Sequence, residues 1–304
     1  MSGLLNSILA ATAQGLLWAV MALGLYITYR LLNFSDLTVD GSFATGGAIT
    51  AVVITSGGSP LAAMGLALIG GILAGFVTGF LNTRMRIPAL LSSILTQIAL
   101  YTINLRIMAK PNIPLLNQRT LFSLLQDMGL GRIGTGLVNG LVAATLTAVA
   151  MYWFFGSEIG AAIRATGNNP AMVRELGANT QTTTLIGLML ANGLVALSGS
   201  LVSQQQGFAD VGMGLGAIVI GLASIIIGEV LLPSTTFWMR LVGVVAGSVI
   251  YRIVITLVLE IPGIKSYDLR LFTAIIVALA LWLPQVTAAW RQRRGRKGQD
   301  EEHA

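Results

Sequence analysis

Residues 9–31 read LAATAQGLLWAVMALGLYITYRL, a stretch whose only charge is Arg30 near its far end. About 20 apolar residues is what an α-helix needs to cross the ~30 Å hydrocarbon core of a bilayer. Working outward, comparable segments follow at Phe43–Ser56, Leu61–Leu81, Leu90–Met108, Ile133–Phe155, Thr182–Gln204, Met213–Leu232, Trp238–Leu259 and Leu271–Trp290. Too many of these exist to share one water-soluble core. The expected fold is therefore all-α: a polytopic membrane protein of about nine transmembrane segments, with residues 1–290 as the membrane domain and 291–304 as a polar tail. Phe43–Ser56 is short and glycine-rich, so unless residues before Phe43 lengthen it a broken span is expected there.

Composition agrees. Of 304 residues, 55% are hydrophobic and 10% charged, against about 25% charged in a soluble domain, and the mean hydropathy is +0.80. The 36 glycines lie mostly inside apolar runs, where small residues let helices approach closely in lipid. The runs do not alternate in polarity as barrel strands do. There is no cysteine, and the single histidine, His303, lies in the tail, so no metal site, iron–sulfur cluster or cysteine nucleophile is expected. The net charge of +6 is spread over helix ends, except for the cluster Arg291–Lys297. That pattern sets topology and gives no reason to expect nucleic acid. Met1–Leu9 lacks a positive flank and a small-residue cleavage site, so the first run reads as a retained span.

Placing Arg291, Arg293, Arg294, Arg296 and Lys297 in the cytoplasm and alternating sides backward puts the N-terminus outside. Arg30, Arg84, Arg86, Arg164, Arg174 and Arg240 then also fall inside. Arg106, Lys110, Arg119, Arg132, Lys265 and Arg270 fall outside. Of two long loops, residues 109–132 suggest a short interfacial helix around Leu121, Phe122, Leu124 and Leu125. Residues 156–181, on the inner side, predict two short helices. Ser157 stands at an N-cap with Glu158 in the first turn, Gly167-Asn168-Asn169-Pro170 forms a break, and a second helix begins with proline in its first turn.

An internal repeat is also suggested. Phe34-Ser35-Asp36 leads through Asp40-Gly41 to Gly46-Gly47, and Phe208-Ala209-Asp210 leads through Gly212 and Gly214 to Gly216-Ala217. The alternating topology puts the two on opposite sides, as an inverted repeat requires. Polar residues that lipid would reject are candidates for a path or for helix-to-helix bonding: Gln14, Asn33, Asp36, Asp40, Gln97, Asn104, Asn139, Asn192, Gln204, Gln205, Gln206 and Asp210. Asp36 and Asp40 fit caps equally well. Arg252 lies deep in a span, where Glu229 or Glu260 would satisfy it, or where its long side chain could snorkel or take part in gating. No catalytic constellation appears, and no Gly-x-x-x-x-Gly-Lys-Ser/Thr loop, so ATP hydrolysis would require another chain.

The inner loop carries a resemblance. Glu158-Ile159-Gly160-Ala161-Ala162-Ile163-Arg164-Ala165-Thr166-Gly167-Asn168-Asn169-Pro170, followed by Arg174-Glu175-Leu176-Gly177-Ala178-Asn179, resembles the coupling loop of bacterial ABC-importer permeases of the branched-chain amino acid and ribose type. Gly24-Leu25 through Leu31-Leu32-Asn33-Phe34-Ser35-Asp36 to Gly41-Ser42-Phe43 is similar to that family's first span and the turn after it. After Gly216, the segment Ile218-Val219-Ile220-Gly221-Leu222-Ala223-Ser224 stands where sugar and branched-chain members have a double glycine. It looks more like the tryptophan/tyrosine-type branch, which implies an amino acid solute, aromatic ones included.

The resemblance further implies a cytoplasmic ABC ATPase dimer carrying ATP and magnesium, with no cofactor in this chain. It also implies a second permease copy or a paralogue, and an extracytoplasmic solute-binding protein, all at the bacterial inner membrane. Glu158, Arg164, Gly167, Asn168, Asn169, Pro170, Arg174, Glu175, Gly177 and Asn179 would then form the ATPase-coupling element. Asn33, Asp36, Asp40, Asn104, Gln204, Asp210 and Arg252 would be candidates for the path or its gate. From the residues alone, an ion-coupled secondary transporter and a channel-like subunit also remain open. Copurification with an ATPase separates these readings.

Overall fold

The computed structural model describes residues 2–260 except Met128, Ser234 and Thr235, and beyond them only Ala274, Ile275 and Ala278. The helices are α1 (Ser2–Tyr26, continued by a π-helical turn, Ile27–Leu31), α2 (Thr38–Thr55), α3 (Pro60–Thr83), α4 (Ala89–Met108), α5 (Leu121–Asp127), α6 (Arg132–Gly156), α7 (Glu158–Asn168), α8 (Pro170–Glu175), α9 (Thr180–Gln206), α10 (Ala217–Leu231) and α11 (Phe237–Leu259). Two short strands, β1 (Asn112–Pro114) and β2 (Phe208–Asp210), pair antiparallel with Ile113 opposite Ala209.

Among the described residues, six helices are long and apolar enough to cross a membrane: α1 with its π turn, α3, α4, α6, α9 and α11. Eight of the nine expected segments therefore resolve into six full-length crossings and two shorter helices. At 1.5 Å per residue, the 15 residues of α10 reach only about 22 Å. α2 does not start at a bundle end either. Its first residue, Thr38, is buried and shares a 2.7 Å hydroxyl hydrogen bond with Thr78, inside α3. The ninth expected span, Leu271–Trp290, falls almost wholly outside the described residues.

α1 and α9 form the centre, each with 67% of its most apolar stretch buried, against 28–39% for α3, α4, α6 and α11. Close packing of small residues explains how α2 and α3 fit around α9. α2 runs parallel to α9 in a register repeating every four residues. The Ser42 hydroxyl donates to Asn192 Oδ1 at 2.6 Å, Gly46 abuts the Ala196 carbonyl, and the Thr50 hydroxyl donates to Ser200 Oγ at 2.6 Å. α3 runs antiparallel, with Gly71 and Gly75 against the carbonyls of Asn192 and Leu188. A β-carbon on any of these glycines would force the backbones apart, as expected where helix contact in lipid depends on small residues.

One end of the bundle carries α7, α8, Arg30 and Arg240, and the opposite end carries α5 and the strand pair. Arg30, Arg164 and Arg240 share one cavity wall, as their common side in the alternating topology requires. The helix expected in residues 109–132 is α5. Its start is held by the reciprocal Thr120–Ser123 bonds and by Leu121 N–H donating to Gln204 Oε1 at 2.9 Å. The strands gave no sequence signal, since three residues ending at Pro114 are too few to show a period of two.

Candidate functional site

The two helices of the inner loop are built by local caps. Ser157 Oγ accepts from Gly160 N–H at 3.3 Å to start α7. Asn169 Oδ1 accepts from the N–H groups of Ala171 and Met172 at 3.2 and 3.1 Å, and Pro170 fills the first position of α8. Asn179 Oδ1 does the same for Gln181 and Thr182 at the start of α9. Asparagine and serine are favoured at these positions because their oxygens satisfy amide groups left free at a helix start. Gly177 has φ +85° and lets the chain turn between α8 and α9.

The expected break is narrower than the sequence suggests. α7 runs through Gly167 and Asn168, and Asn169 alone separates it from α8. Gly167 is helical and is not among the positive-φ residues. It is glycine because the backbone of Leu31 and Leu32 lies directly against it. Gly160, Ile163, Thr166 and Val173 face the bundle, and Thr166 and Thr183 share a 2.8 Å hydroxyl hydrogen bond. Outward stand the charged groups Glu158, Arg164, Arg174 and Glu175, with Ile159, Met172 and Leu176 at 52%, 46% and 75% exposure. The loop is thus a packed knob with a mixed apolar and charged outer face.

Deeper in the bundle, two aspartates do separate work. Asp36 is buried and accepts from Thr38 N–H at 2.9 Å and from the Asn192 amide at 2.8 Å. Asp40, in the first turn of α2, accepts from Gly216 and Ile218 N–H at 3.0 and 2.9 Å. It therefore caps α10 from another helix, with its negative charge at the positive end of the α10 dipole. The two acidic, glycine-rich segments suggested as repeat copies thus touch each other. Beside this contact lies a half-open cleft of about 200 Å³ lined by Asp40, Gln97, Tyr101, Asn104, Val211 and Leu215. Asn104 is fully buried. Its amide reaches the Gly41 carbonyl only at 3.5 Å, and its Oδ1 has no partner among the described residues.

A family model described as the permease component of branched-chain amino acid transport systems matches residues 7–280. The chain belongs to that family. It is 40% identical over 273 residues to the tyrosine transport system permease protein of Clostridioides difficile, covering 90% of each chain. An uncharacterised protein of Rickettsia prowazekii is 34% identical over 91% of this chain and 97% of its own. The ribose import permease protein of Escherichia coli is 26% identical over 91% and 85%. No solved structure matches.

In this permease the remaining sequence candidates do not gather at the cleft. Asn33 has φ +52° and lines a cavity beside α7 with Arg164 and Asn168. Gln204 anchors α5. Asp210 sits at the strand pair, accepting from Asn112 Nδ2 at 3.3 Å and Gly212 N–H at 2.8 Å. Arg252 does not take Glu229 as its partner. Glu229 binds Arg30 through two hydrogen bonds of 2.5 and 2.6 Å, and Arg252 stacks over the Trp18 ring at 4.0 Å. Among the described residues Arg252 makes no ion pair, with Glu260 or any other. Aromatic stacking is a normal way to hold a guanidinium away from water. Sequence reading missed Tyr101 at the cleft and the Arg30–Glu229 pair, both of which depend on contacts between distant segments.

Proposed function

We propose that this ABC-type permease carries solute along a path that includes the cleft at Asp40, Gln97 and Asn104, driven by a separate ATPase that docks on α7 and α8. The knob carries this reading. Its inner face is locked to α1 and α9, while its outer face exposes apolar and charged groups that a partner could grip and release. A rigid element between a docking surface and the bundle can transmit displacement. The cleft suits passage because Asp40, Gln97 and Asn104 place polar side chains in its wall, where lipid could not satisfy them.

On this reading the chain works in the bacterial inner membrane with a second permease copy and an extracytoplasmic binding protein. ATP and magnesium are held by the ATPase, and no catalytic group is needed here. The knob and tail face the cytoplasm and the N-terminus faces outward. The tyrosine transport named for the Clostridioides relative supports an aromatic amino acid as solute. The test is uptake of radiolabelled tyrosine, leucine and ribose into proteoliposomes holding permease, cognate ATPase and binding protein. ATP-dependent tyrosine uptake exceeding the other two is expected. Uptake that follows an imposed ion gradient and ignores ATP rejects the proposal.

A further inference from the structure

The end of the bundle that carries α7 and α8 holds two adjoining cavities. One, about 590 Å³, is walled by Tyr152, Trp153, Phe155 and Phe237. The other, about 550 Å³, is walled by Arg30, Arg164, Arg240, Asn33 and Asn168. Arg164 and Phe237 line both, with the guanidinium 5.5 Å above the ring. Trp153 is 81% exposed at the rim of the aromatic cavity. An aromatic groove thus opens into a polar cavity with three arginines on its wall.

Charge and position narrow the occupant. Among the described residues the nearby carboxylate is Glu229, which is committed to Arg30, while the exposed Arg164 makes no ion pair with any described residue. Arg164 therefore brings to both cavities a positive charge that no described carboxylate pairs. The walls come from the end of one apolar span, α6, and the start of another, α11, the depth at which hydrocarbon gives way to headgroups. Tryptophan and tyrosine concentrate at that depth, and basic pockets between helices there take acidic headgroups.

We propose that the paired cavities bind an anionic phospholipid, its phosphate held by Arg164 and Arg240 and one acyl chain lying along Tyr152, Trp153 and Phe155. Guanidinium groups suit this because their planar donors match phosphate oxygens. The bound lipid ties α7 to the start of α11. This holds whether or not α7 docks an ATPase, because lipid binding is read on the permease alone, with no ATPase present.

The experiment uses the purified full chain in neutral detergent, titrated with bromine-labelled phosphatidylglycerol or with phosphatidylcholine of the same chains. Quenching of Trp153 is isolated by difference against Trp153→Phe. Phosphatidylglycerol should quench at a concentration at least tenfold lower than phosphatidylcholine. Arg164→Gln/Arg240→Gln should weaken phosphatidylglycerol by about 25-fold, from the usual contribution of two basic residues at a membrane surface. Arg106→Gln, at the opposite end, should leave it unchanged. If the double variant fails to elute as a folded species, Arg164→Gln alone should weaken it about fivefold. Equal quenching by both lipids, or a preference that survives loss of the arginines, overturns the proposal. Displacement of the lipid by millimolar inorganic phosphate assigns the cavity to a free anion and overturns the lipid. Phosphatidylglycerol binding that appears only as part of a complex with the ATPase also overturns it, assigning the surface to the protein partner.

Discussion

Gly167 of α7 lies against the backbone carbonyl of Leu31, the last residue of the π-helical turn, with no room for a β-carbon between them. Leu32, next in the chain, fills the space beside Gly187 of α9. The knob, the end of α1 and the start of α9 are therefore packed as one block. Gly167→Val must push α7 off α1, an overpacking cost of about 1–3 kcal/mol. Solute uptake and solute-stimulated ATP hydrolysis should fall together, while membrane insertion persists. Arg164→Ala, which removes an exposed guanidinium lying over the Phe237 ring, should lower both activities with no more than a small drop in the thermal midpoint. Normal uptake and normal stimulated hydrolysis in both variants would remove the coupling role.

The Arg30–Glu229 pair ties the end of α1 to the far end of α10, whose start is held by Asp40. Because Arg30 is 52% exposed in its side chain, the pair should contribute no more than about 1 kcal/mol to stability. Its effect should appear instead in transport. Arg30→Glu and Glu229→Arg should each reduce uptake, and the double reversal should recover most of it. Failure of the double variant to exceed either single one would show that the ion pair itself is not what matters.

Sidedness can be read directly, since the chain has no cysteine. Ser157→Cys, at the knob, should resist an impermeant maleimide added to intact cells and react after lysis. Asn117→Cys, in the loop before α5, should react in intact cells. The reverse pattern would invert the topology and place the knob outside.

What was legible in the sequence was local. Ser157, Pro170 and the apolar runs announce helix starts and spans through neighbours a few residues away, and the structure keeps them. The break in the knob was misjudged because Gly167, read as a turn glycine, answers to Leu31, 136 positions earlier in the chain. Asp40 could be read as a cap, but its helix proved to be α10, 176 residues on. The same distance problem sent Arg252 toward Glu229, which Arg30 had already engaged. The span count suffered for a related reason. α2 and α10 are apolar enough to be noticed, yet nothing local reveals that each begins against another helix inside the bundle.

Asp40 and Asn104 line the same cleft but should fail differently when replaced. Asp40 satisfies two amides at the start of α10, so Asp40→Ala should destabilise the protein by about 1–2 kcal/mol and lower transport as a result. Asn104 has a buried Oδ1 without a partner among the described residues and one long bond to Gly41. Leaving such an acceptor unpaired costs about 1–3 kcal/mol, so Asn104→Leu, of the same branched shape though bulkier, should leave the thermal midpoint unchanged or raise it. If that acceptor exists to meet solute, uptake should nonetheless fall about tenfold, roughly the value of one lost hydrogen bond in a site that must pair with its ligand. The two measurements are a melting curve and initial uptake rates on the same preparations. A variant that melts later and transports normally would take Asn104 off the path, whereas one that melts earlier would make it an ordinary packing residue.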